Sequence, residues 1–274
     1  MPTPPRVLSV AAAALLGLAV LAGCSAGSGA AGGSDTTRGA SAPGRATPAV
    51  TGDVTVLAAA SLTETVGALA DEFEADHPGT TVTVSYGGSS ALAQQIVAGS
   101  PVDVFLSASS TTMSTVADVG LVEGDPAVFA RNALEIAVPV GDPGDVASLA
   151  DLATPGVTVA LCAAEVPCGA LARQVLDAAG LDVQPATLEP DVKSVLTKVE
   201  LGEVDAGLVY ETDVRAAGDR VEGVAIDDDS APTTAYLGAR LRDAPAPAAG
   251  DAFLAFVLSP AGQQALADAG FRVG

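Results

Sequence analysis

Residues 54–74 read VTVLAAASLTETVGALADEFE. The first four residues form a short apolar run rich in β-branched side chains, which predicts a buried strand. Residues Thr63–Glu74 then carry apolar residues at helical spacing, which predicts a helix directly after the strand. Because strands and helices alternate in the same way along the chain, we expect an α/β fold whose mainly parallel sheets are flanked by helices.

The same alternation predicts the remaining elements. Strands are predicted at Val54–Leu57, Thr81–Ser85, Val102–Leu106, Leu134–Val138, Val157–Leu161, Ala206–Val209, Val224–Ile226 and Ala235–Ala239. The clearest helices are predicted at Thr63–Glu74, Ser90–Ala98, Gly169–Ala179, Val192–Leu201, Ala248–Leu258 and Pro260–Ala269.

Turn residues indicate two lobes. The run Gly141-Asp142-Pro143-Gly144 follows Pro139 and marks a first passage between lobes, and a return is predicted near Ala225–Thr234. We therefore expect one lobe over residues 53–139 plus 225–274 and a second lobe over residues 140–224. A single continuous doubly wound domain is the alternative.

The N-terminal residues are typical of a bacterial lipoprotein signal peptide. Arg6 precedes the apolar stretch Val7–Leu21, which leads through small residues to Cys24. This predicts a signal peptide over residues 1–23, a lipidated Cys24 and a Gly/Ala/Ser-rich tether over residues 24–52. We expect an extracytoplasmic protein anchored to the cell membrane by lipid; a plain secretory signal with a chance cysteine is the alternative.

The overall charge argues against a nucleic-acid partner. The chain has 33 acidic and 12 basic residues, for a net charge of −21. Such a charge repels polyanions at long range. An anionic ligand would therefore have to be held by local dipoles.

Two further cysteines, Cys162 and Cys168, form an even pair in an oxidising compartment. A structural disulfide is the favoured interpretation. A redox pair or a metal site remain alternatives, although the spacing is not that of a CxxC motif and His77 is the chain's single histidine.

Four predicted helix starts could hold an anion, because the first N–H groups of a helix lack internal partners and the helix dipole is positive there. Ser61 is expected to cap the first helix, with Glu64 completing a capping box. The other starts are Gly87-Gly88-Ser89-Ser90, Pro167-Cys168-Gly169 and Pro190-Asp191-Val192, and Tyr210 offers a phenolic donor at the end of a strand.

These residues resemble the periplasmic molybdate-binding proteins of ABC importers, a branch of the type II periplasmic-binding-protein fold. The resemblance runs through nearly the whole chain after the tether. It rests on VLAAASL at Val56–Leu62, GGSSALA at Gly87–Ala93, GSPVDVF at Gly99–Phe105, VPCG at Val166–Gly169, DVK at Asp191–Lys193, GLVY at Gly207–Tyr210 and SPAGQ at Ser259–Gln263.

The resemblance implies a two-lobe protein that holds molybdate, and also tungstate, in the cleft between its lobes and delivers it to an ABC permease. It further implies a monomer without a cofactor, in which neutral donors hold the oxyanion and the molybdenum is bound only as that oxyanion. The ligand residues that it implies are Ser61, Ser89, Cys168, Val192 and Tyr210, the cysteine and valine through backbone N–H groups only. The side chain of Lys193 is expected in solvent.

Competing functions find less support in the sequence. A sulfate- or phosphate-binding protein of the same fold is the nearest alternative. An iron-binding relative would want adjacent tyrosines, whereas Tyr86, Tyr210 and Tyr236 are far apart. A secreted enzyme would need a nucleophile with a base, or paired carboxylates. The run Asp227-Asp228-Asp229 is interpreted as a solvated turn rather than a metal site.

Overall fold

A computed structural model describes residues 50–226 and 232–274 of the chain. Strands and helices alternate along these residues, as the sequence pattern predicts. The strands are β1 (Gly52–Ala59), β2 (Thr80–Gly87), β3 (Val104–Ser107), β4 (Ala127–Asn132), β5 (Leu134–Pro139), β6 (Val159–Cys162), β7 (Thr187–Glu189), β8 (Ala206–Tyr210), β9 (Val221–Val224) and β10 (Thr234–Arg240). The helices are α1 (Thr63–Asp76), α2 (Ser89–Val97), α3 (Ser110–Ala117), α4 (Pro167–Ala178), α5 (Val192–Glu200), α6 (Glu211–Ala217), α7 (Pro247–Leu258) and α8 (Pro260–Asp268).

The strands form two five-stranded sheets, one in each lobe. The first has the order β2-β1-β3-β10-β4 and the second the order β7-β6-β8-β5-β9. In the first sheet β2, β1 and β3 are parallel, whereas β10 runs antiparallel to both of its neighbours. The second sheet repeats this plan, with β5 antiparallel to β8 and β9.

Both sheets are therefore mixed rather than mainly parallel. The antiparallel strands β5 and β10 are those by which the chain enters a sheet from the other lobe. A strand that arrives directly from another sheet needs no crossover helix, so it is free to run antiparallel to its neighbours.

The first passage between the lobes lies at Ala133, not after Pro139. Strand β4 belongs to the first sheet and β5 to the second, and Ala133 alone separates them. No glycine or proline marks this point, whereas the turn at residues 141–144 ends β5 within the second lobe. The second change of sheet along the chain falls between β9 and β10. The run Asp227-Asp228-Asp229, the signal peptide and most of the tether lie outside the described residues.

Each lobe has its own apolar core. In the first lobe, α1 and α7 bury Leu69, Phe73 and Phe253 on one face of the sheet, while α2 and α3 cover the opposite face. In the second lobe, α4 and α5 bury Leu171 and Val195. Burial of this kind is the main favourable term in folding, so each lobe has the core that an independent packing unit needs.

The lobes also meet directly. Ala60 follows β1 in the first lobe, yet it packs into the apolar cluster of the second. It begins a single 3-10 turn, Ala60–Leu62, that leads into α1. Within the described residues, no helix is long and apolar enough to cross a membrane.

Candidate functional site

The five residues singled out from the sequence come together in one small cavity between the lobes. Ser61, Ser89, Cys168, Val192 and Tyr210 all line it, and each is at least nine-tenths buried. The volume open to the centre of a water molecule in this cavity is about 10 Å³. That is close to the least space that admits one water molecule, so the cavity in this form has no room for an organic metabolite.

Ser61 lies in the 3-10 turn after β1 and does not cap α1, contrary to the capping box that the sequence suggests. The N-cap of α1 is Leu62, which makes no side-chain hydrogen bond. Instead, Ser61 Oγ lies 2.7 Å from Tyr236 Oη on β10. The extra turn places Ser61 before the start of α1, at the wall of the cavity.

Ser89 is the first residue of α2, and it both holds the start of that helix in place and offers donors to a ligand. Its hydroxyl accepts a hydrogen bond of 3.1 Å from the Ala108 N–H, which ties the start of α2 to the end of β3. The first hydrogen bond of the helix runs from Leu92 N–H to Gly88 C=O, so the Ser89 N–H precedes it. Both the hydroxyl proton and this N–H are available to a ligand.

Gly88 lies where the two lobes approach each other most closely at the site. A Cβ atom there would collide with the carbonyl oxygen of Pro190 in the second lobe and would lie 3.2 Å from Val166 Cγ1. The backbone of Gly88 is in the ordinary extended region, with φ −60° and ψ 125°. Glycine is therefore required for space between the lobes and not for its backbone freedom.

Cys168 lies at the start of α4, where Pro167 occupies the first helical turn. The first hydrogen bond of this helix runs from Ala170 N–H to Val166 C=O, so the Cys168 N–H precedes it. A disulfide joins Cys168 to Cys162 at the end of β6, with Cα atoms 5.8 Å apart. This link fixes the backbone that presents the N–H group to the cavity.

Val192 begins α5, and its neighbour Asp191 is the N-cap. The Asp191 carboxylate accepts a hydrogen bond of 2.9 Å from the Ser194 N–H, so it is directed along the helix start. The first backbone bond of α5 runs from Val195 N–H to Asp191 C=O. The Val192 N–H precedes that bond and lies at the cavity.

Tyr210 ends β8, and its buried hydroxyl group makes no hydrogen bond of ordinary length and angle, although the Tyr236 phenol lies beside it. Burial raises the pKa of Tyr210 well above its ordinary value, so the phenol keeps its proton at neutral pH. A buried hydroxyl without such a bond costs free energy. Since Tyr210 lines the cavity, a ligand that accepts this proton would remove that cost.

Two residues near the site were not predicted, and a third has other surroundings than expected. Tyr236 is fully buried and contacts Tyr210 edge to face, with ring centroids 6.0 Å apart. Burial raises its pKa as well, so its phenol remains a donor. Asp213 is also fully buried, and its Oδ2 accepts the Tyr210 N–H at 3.1 Å.

The third is Lys193, whose ammonium does not lie free in solvent as expected. It is 3.1 Å from Asp213 Oδ1 and 2.9 Å from each carboxylate oxygen of Glu64. Burial alone would lower its pKa, but the charges of Asp213 and Glu64 outweigh burial and raise it. The side chain of Lys193 is 23% exposed and lies between these two carboxylates.

The cavity offers donors without a basic side chain. Its lining contains hydroxyls, helix N-termini, small apolar residues and Asp191, whose carboxylate accepts the Ser194 N–H; within the described residues no lysine, arginine or histidine lines it. Helix N-termini bind anions through free N–H groups and the positive end of the helix dipole. The arrangement can therefore hold an anion by hydrogen bonds alone.

The described residues give no support to a metal-cation site. They contain no group of three or more histidine, cysteine, aspartate or glutamate residues that could hold a metal ion. Both cysteines at the site are engaged in their disulfide. The cavity thus fits a species that accepts hydrogen bonds, not one that needs carboxylate or thiolate ligands.

Known proteins share this fold and this sequence pattern. Residues 54–272 match the family model described as bacterial extracellular solute-binding protein. The molybdate-binding protein ModA of Mycobacterium tuberculosis is 38% identical over 218 residues, which cover 80% of this chain and 84% of that protein.

Solved structures with lower sequence identity have the same fold. The periplasmic molybdate-binding protein of Azotobacter vinelandii superposes with a TM-score of 0.71 at 21% identity, covering 81% of this chain and 99% of that chain. The sulfate-binding protein SubI of Mycobacterium tuberculosis also reaches 0.71, at 19% identity, covering 81% of this chain and 86% of that chain. From the match over residues 54–272, the chain belongs to the bacterial extracellular solute-binding proteins, with their two-lobe periplasmic-binding-protein fold.

Proposed function

We propose that this protein captures molybdate in the cavity between its lobes and delivers it to an ABC permease. The observation that carries the proposal is the buried hydroxyl of Tyr210, in a cavity that also presents serine hydroxyls and helix N-termini. The carboxylate of Asp191, which also lines the cavity, accepts the Ser194 N–H. The relationship to a molybdate-binding protein, at 38% identity over 80% of the chain, supports the choice of ion.

Neutral donors suit a doubly charged oxyanion. Hydrogen bonds to charged groups contribute about 1.5 to 3 kcal/mol each, so several of them can offset the loss of hydration without a buried counter-charge. The ligands would be the hydroxyls of Ser61, Ser89 and Tyr210 and the N–H groups of Cys168 and Val192. Tungstate has the same shape and charge, and we propose that it binds as well.

Binding would require the lobes to separate and close again. A tetrahedral oxyanion has five heavy atoms, which is more than the cavity admits in the closed form, and its entry needs outward movement of the walls. The lobes are joined by two chain passages, at Ala133 and between β9 and β10, which can serve as a hinge. A ligand that contacts both lobes stabilises the closed form over the open one.

Selectivity would follow from the donors and the size of the cavity. Protonated phosphate carries an O–H group, which would meet another donor instead of an acceptor. Sulfate is unprotonated and smaller; because the empty cavity is too small for either ion, the spacing of the donors once the lobes close around the ion would have to separate the two. A sulfate-binding protein is nevertheless the second candidate, because the SubI structure shares the fold as closely as the molybdate-binding one, with the same TM-score of 0.71.

The remaining parts of the proposal concern location. We propose that Cys24 is lipidated after removal of residues 1–23 and that the protein acts as a monomer at the outer face of the cell membrane. The closed, liganded form would be the one that the permease recognises. Catalysis has no part in this function.

Replacing Ser61 and Ser89 together by alanine tests the site. Two lost charge-assisted hydrogen bonds should weaken molybdate binding by at least about a hundredfold. Because Ser89 also accepts the Ala108 N–H, a matched control is needed: Ser114→Ala with Ser259→Ala, in which Ser259 accepts the Gly262 N–H outside the cavity. Calorimetry should show full affinity for the control, and unchanged affinity of the first variant would contradict the assignment.

A further inference from the structure

An ionic bridge crosses from one lobe to the other beside the cavity. Lys193 on α5 lies 2.9 Å from both carboxylate oxygens of Glu64 on α1, in the first lobe. The same ammonium is 3.1 Å from Asp213 Oδ1 on α6, in the second lobe. Lys193 therefore joins a carboxylate of each lobe.

Each end of this bridge is next to a residue of the proposed site. Lys193 follows Val192 in the chain, and Glu64 lies one turn after Ser61. Asp213 accepts the Tyr210 N–H at 3.1 Å. The bridge thus connects the turn that carries Ser61 in the first lobe to the backbone of two ligand residues in the second.

The two arms of the bridge differ in burial, which gives them different roles. The Asp213 side chain is 0% exposed, so it needs its lysine in every state of the protein. The Glu64 side chain is 49% exposed and would be hydrated in full if the lobes moved apart. Only the Glu64 arm therefore depends on closure.

A second ion pair between the lobes has another position. Arg272 Nη2 lies 2.9 Å from Glu211 Oε1, and the Glu211 N–H donates to Ala133 C=O at the first passage. This pair lies beside the first passage between the lobes, where we expect opening to move the chain least. It would not report on closure.

We propose that Lys193 and Glu64 form a latch that holds the lobes closed around the bound ion and slows its release. The inference rests on the proposed function of the cavity and adds two positioning residues that do not contact the ligand. Lys193 remains on Asp213 when the lobes open, so it is already placed to receive Glu64 when they close. The latch would stabilise the closed form without altering the donors.

The variant Glu64→Gln tests the latch, because it removes the charge between the lobes and leaves the Lys193–Asp213 pair in place. The matched control is Glu203→Gln, which removes an ion pair of 3.0 Å with Lys198 within the second lobe. The readout is the release rate of radiolabelled molybdate on dilution into unlabelled molybdate, together with the thermal midpoint of the unliganded protein.

Glu64→Gln should release molybdate roughly two- to fivefold faster, the range that a partly exposed ion pair supplies. The difference should shrink at high salt, and the thermal midpoint should stay unchanged. Glu203→Gln should release the ion at the wild-type rate. If the wild type binds molybdate and Glu64→Gln releases it no faster, the latch is contradicted and the proposed function is not. If the wild type does not bind molybdate, the proposed function and the latch are both contradicted.

Discussion

Tyr210 combines two properties that are unfavourable in the unliganded protein. Its hydroxyl is buried, and it makes no hydrogen bond of ordinary length and angle. Removing such a group relieves the cost of its lost hydration, whereas removing one that is bonded leaves its partner unpaired. Tyr210 therefore destabilises the closed form while it is empty, and a ligand that accepts its proton removes that cost.

Tyr210→Phe should separate these two effects. We expect binding of molybdate to weaken by roughly tenfold to a hundredfold, because one charge-assisted hydrogen bond is lost. The free energy of unfolding of the empty protein should stay the same or rise. Calorimetry and urea denaturation measure the two quantities, and a variant that binds normally but unfolds more easily would mean that the hydroxyl has a structural role.

Asp213 should make stability depend on pH. Burial raises its pKa from the ordinary 3.8 to about 6, although Lys193 lowers it in part. Between these pH values only the folded state binds the proton, so the free energy of unfolding should fall as pH rises from about 4 to about 6. A shift of this size corresponds to about 3 kcal/mol.

Asp213→Asn provides the comparison, because asparagine does not titrate. The difference in unfolding free energy between wild type and variant should shift in favour of the variant by about 2 kcal/mol from pH 4 to pH 6, the greater part of the full effect. Urea denaturation at several pH values in this range measures it. A difference that stays constant with pH would mean that Asp213 is ionised throughout.

At the scale of residues, the sequence predicts the residues that line the cavity better than the residues that surround them. Ser61, Ser89, Cys168, Val192 and Tyr210 meet in one cavity because each lies at a strand-to-helix junction, which is recognisable locally. Their role as ligands stays a prediction. Tyr236 and Asp213 were missed because contacts with distant elements, and not local sequence signals, place them beside the site, and Lys193 was placed in solvent because its buried partner could not be known.

Gly88→Ala should act at the scale of elements, on the contact between the start of α2 and the loop before α5. The added Cβ would collide with the Pro190 carbonyl oxygen across the cleft. Since that contact lies between lobes, we expect incomplete closure and roughly tenfold weaker molybdate binding, with little loss of stability. Small-angle scattering should show a liganded protein that remains more open than the wild type.

Gly67→Ala is the matched control for this variant. Gly67 lies inside α1, where a Cβ would meet Tyr86 Oη at 3.6 Å, an ordinary contact. We expect normal binding and a gain of about 0.5 to 1 kcal/mol in stability, because alanine is the better helix residue. Equal loss of affinity in both variants would contradict the closure argument.

Element boundaries show where local signals fail. Strand β4 was not predicted, and it continues into β5 across Ala133 with no turn residue between them. The short strand β7 was missed as well, because Thr187–Glu189 is only three residues long. The capping box at Ser61 failed for a different reason, since the hydrogen bond to Tyr236 and the extra 3-10 turn replace it.

Net charge acts at the scale of the whole molecule. The chain carries −21, so it should repel an approaching dianion at long range. We expect the association rate of molybdate to rise with ionic strength from about 0.01 M to about 0.15 M, over which the Debye length falls from about 30 Å to about 8 Å. Stopped-flow tyrosine fluorescence measures this rate, and a rate that falls with salt would mean that a local positive field directs the ion.

Fold class follows from the sequence at this scale because strand and helix periods alternate through nearly the whole chain. The strand directions do not follow from the sequence, because they depend on how the chain passes between the lobes. The choice of ion also lies beyond the fold, as molybdate- and sulfate-binding proteins superpose on this chain equally well, each with a TM-score of 0.71. Donor geometry and cavity size must decide it.

The most direct test is calorimetric titration of the soluble fragment with molybdate, tungstate, sulfate and phosphate at neutral pH. The fragment should begin at Thr47, because the Val50 carbonyl accepts a hydrogen bond from Thr80 and belongs to the fold. We expect tight binding of molybdate and tungstate and much weaker binding of the other two ions. Preference for sulfate or phosphate would contradict the assigned ion, and no binding of any of the four would contradict the assigned site.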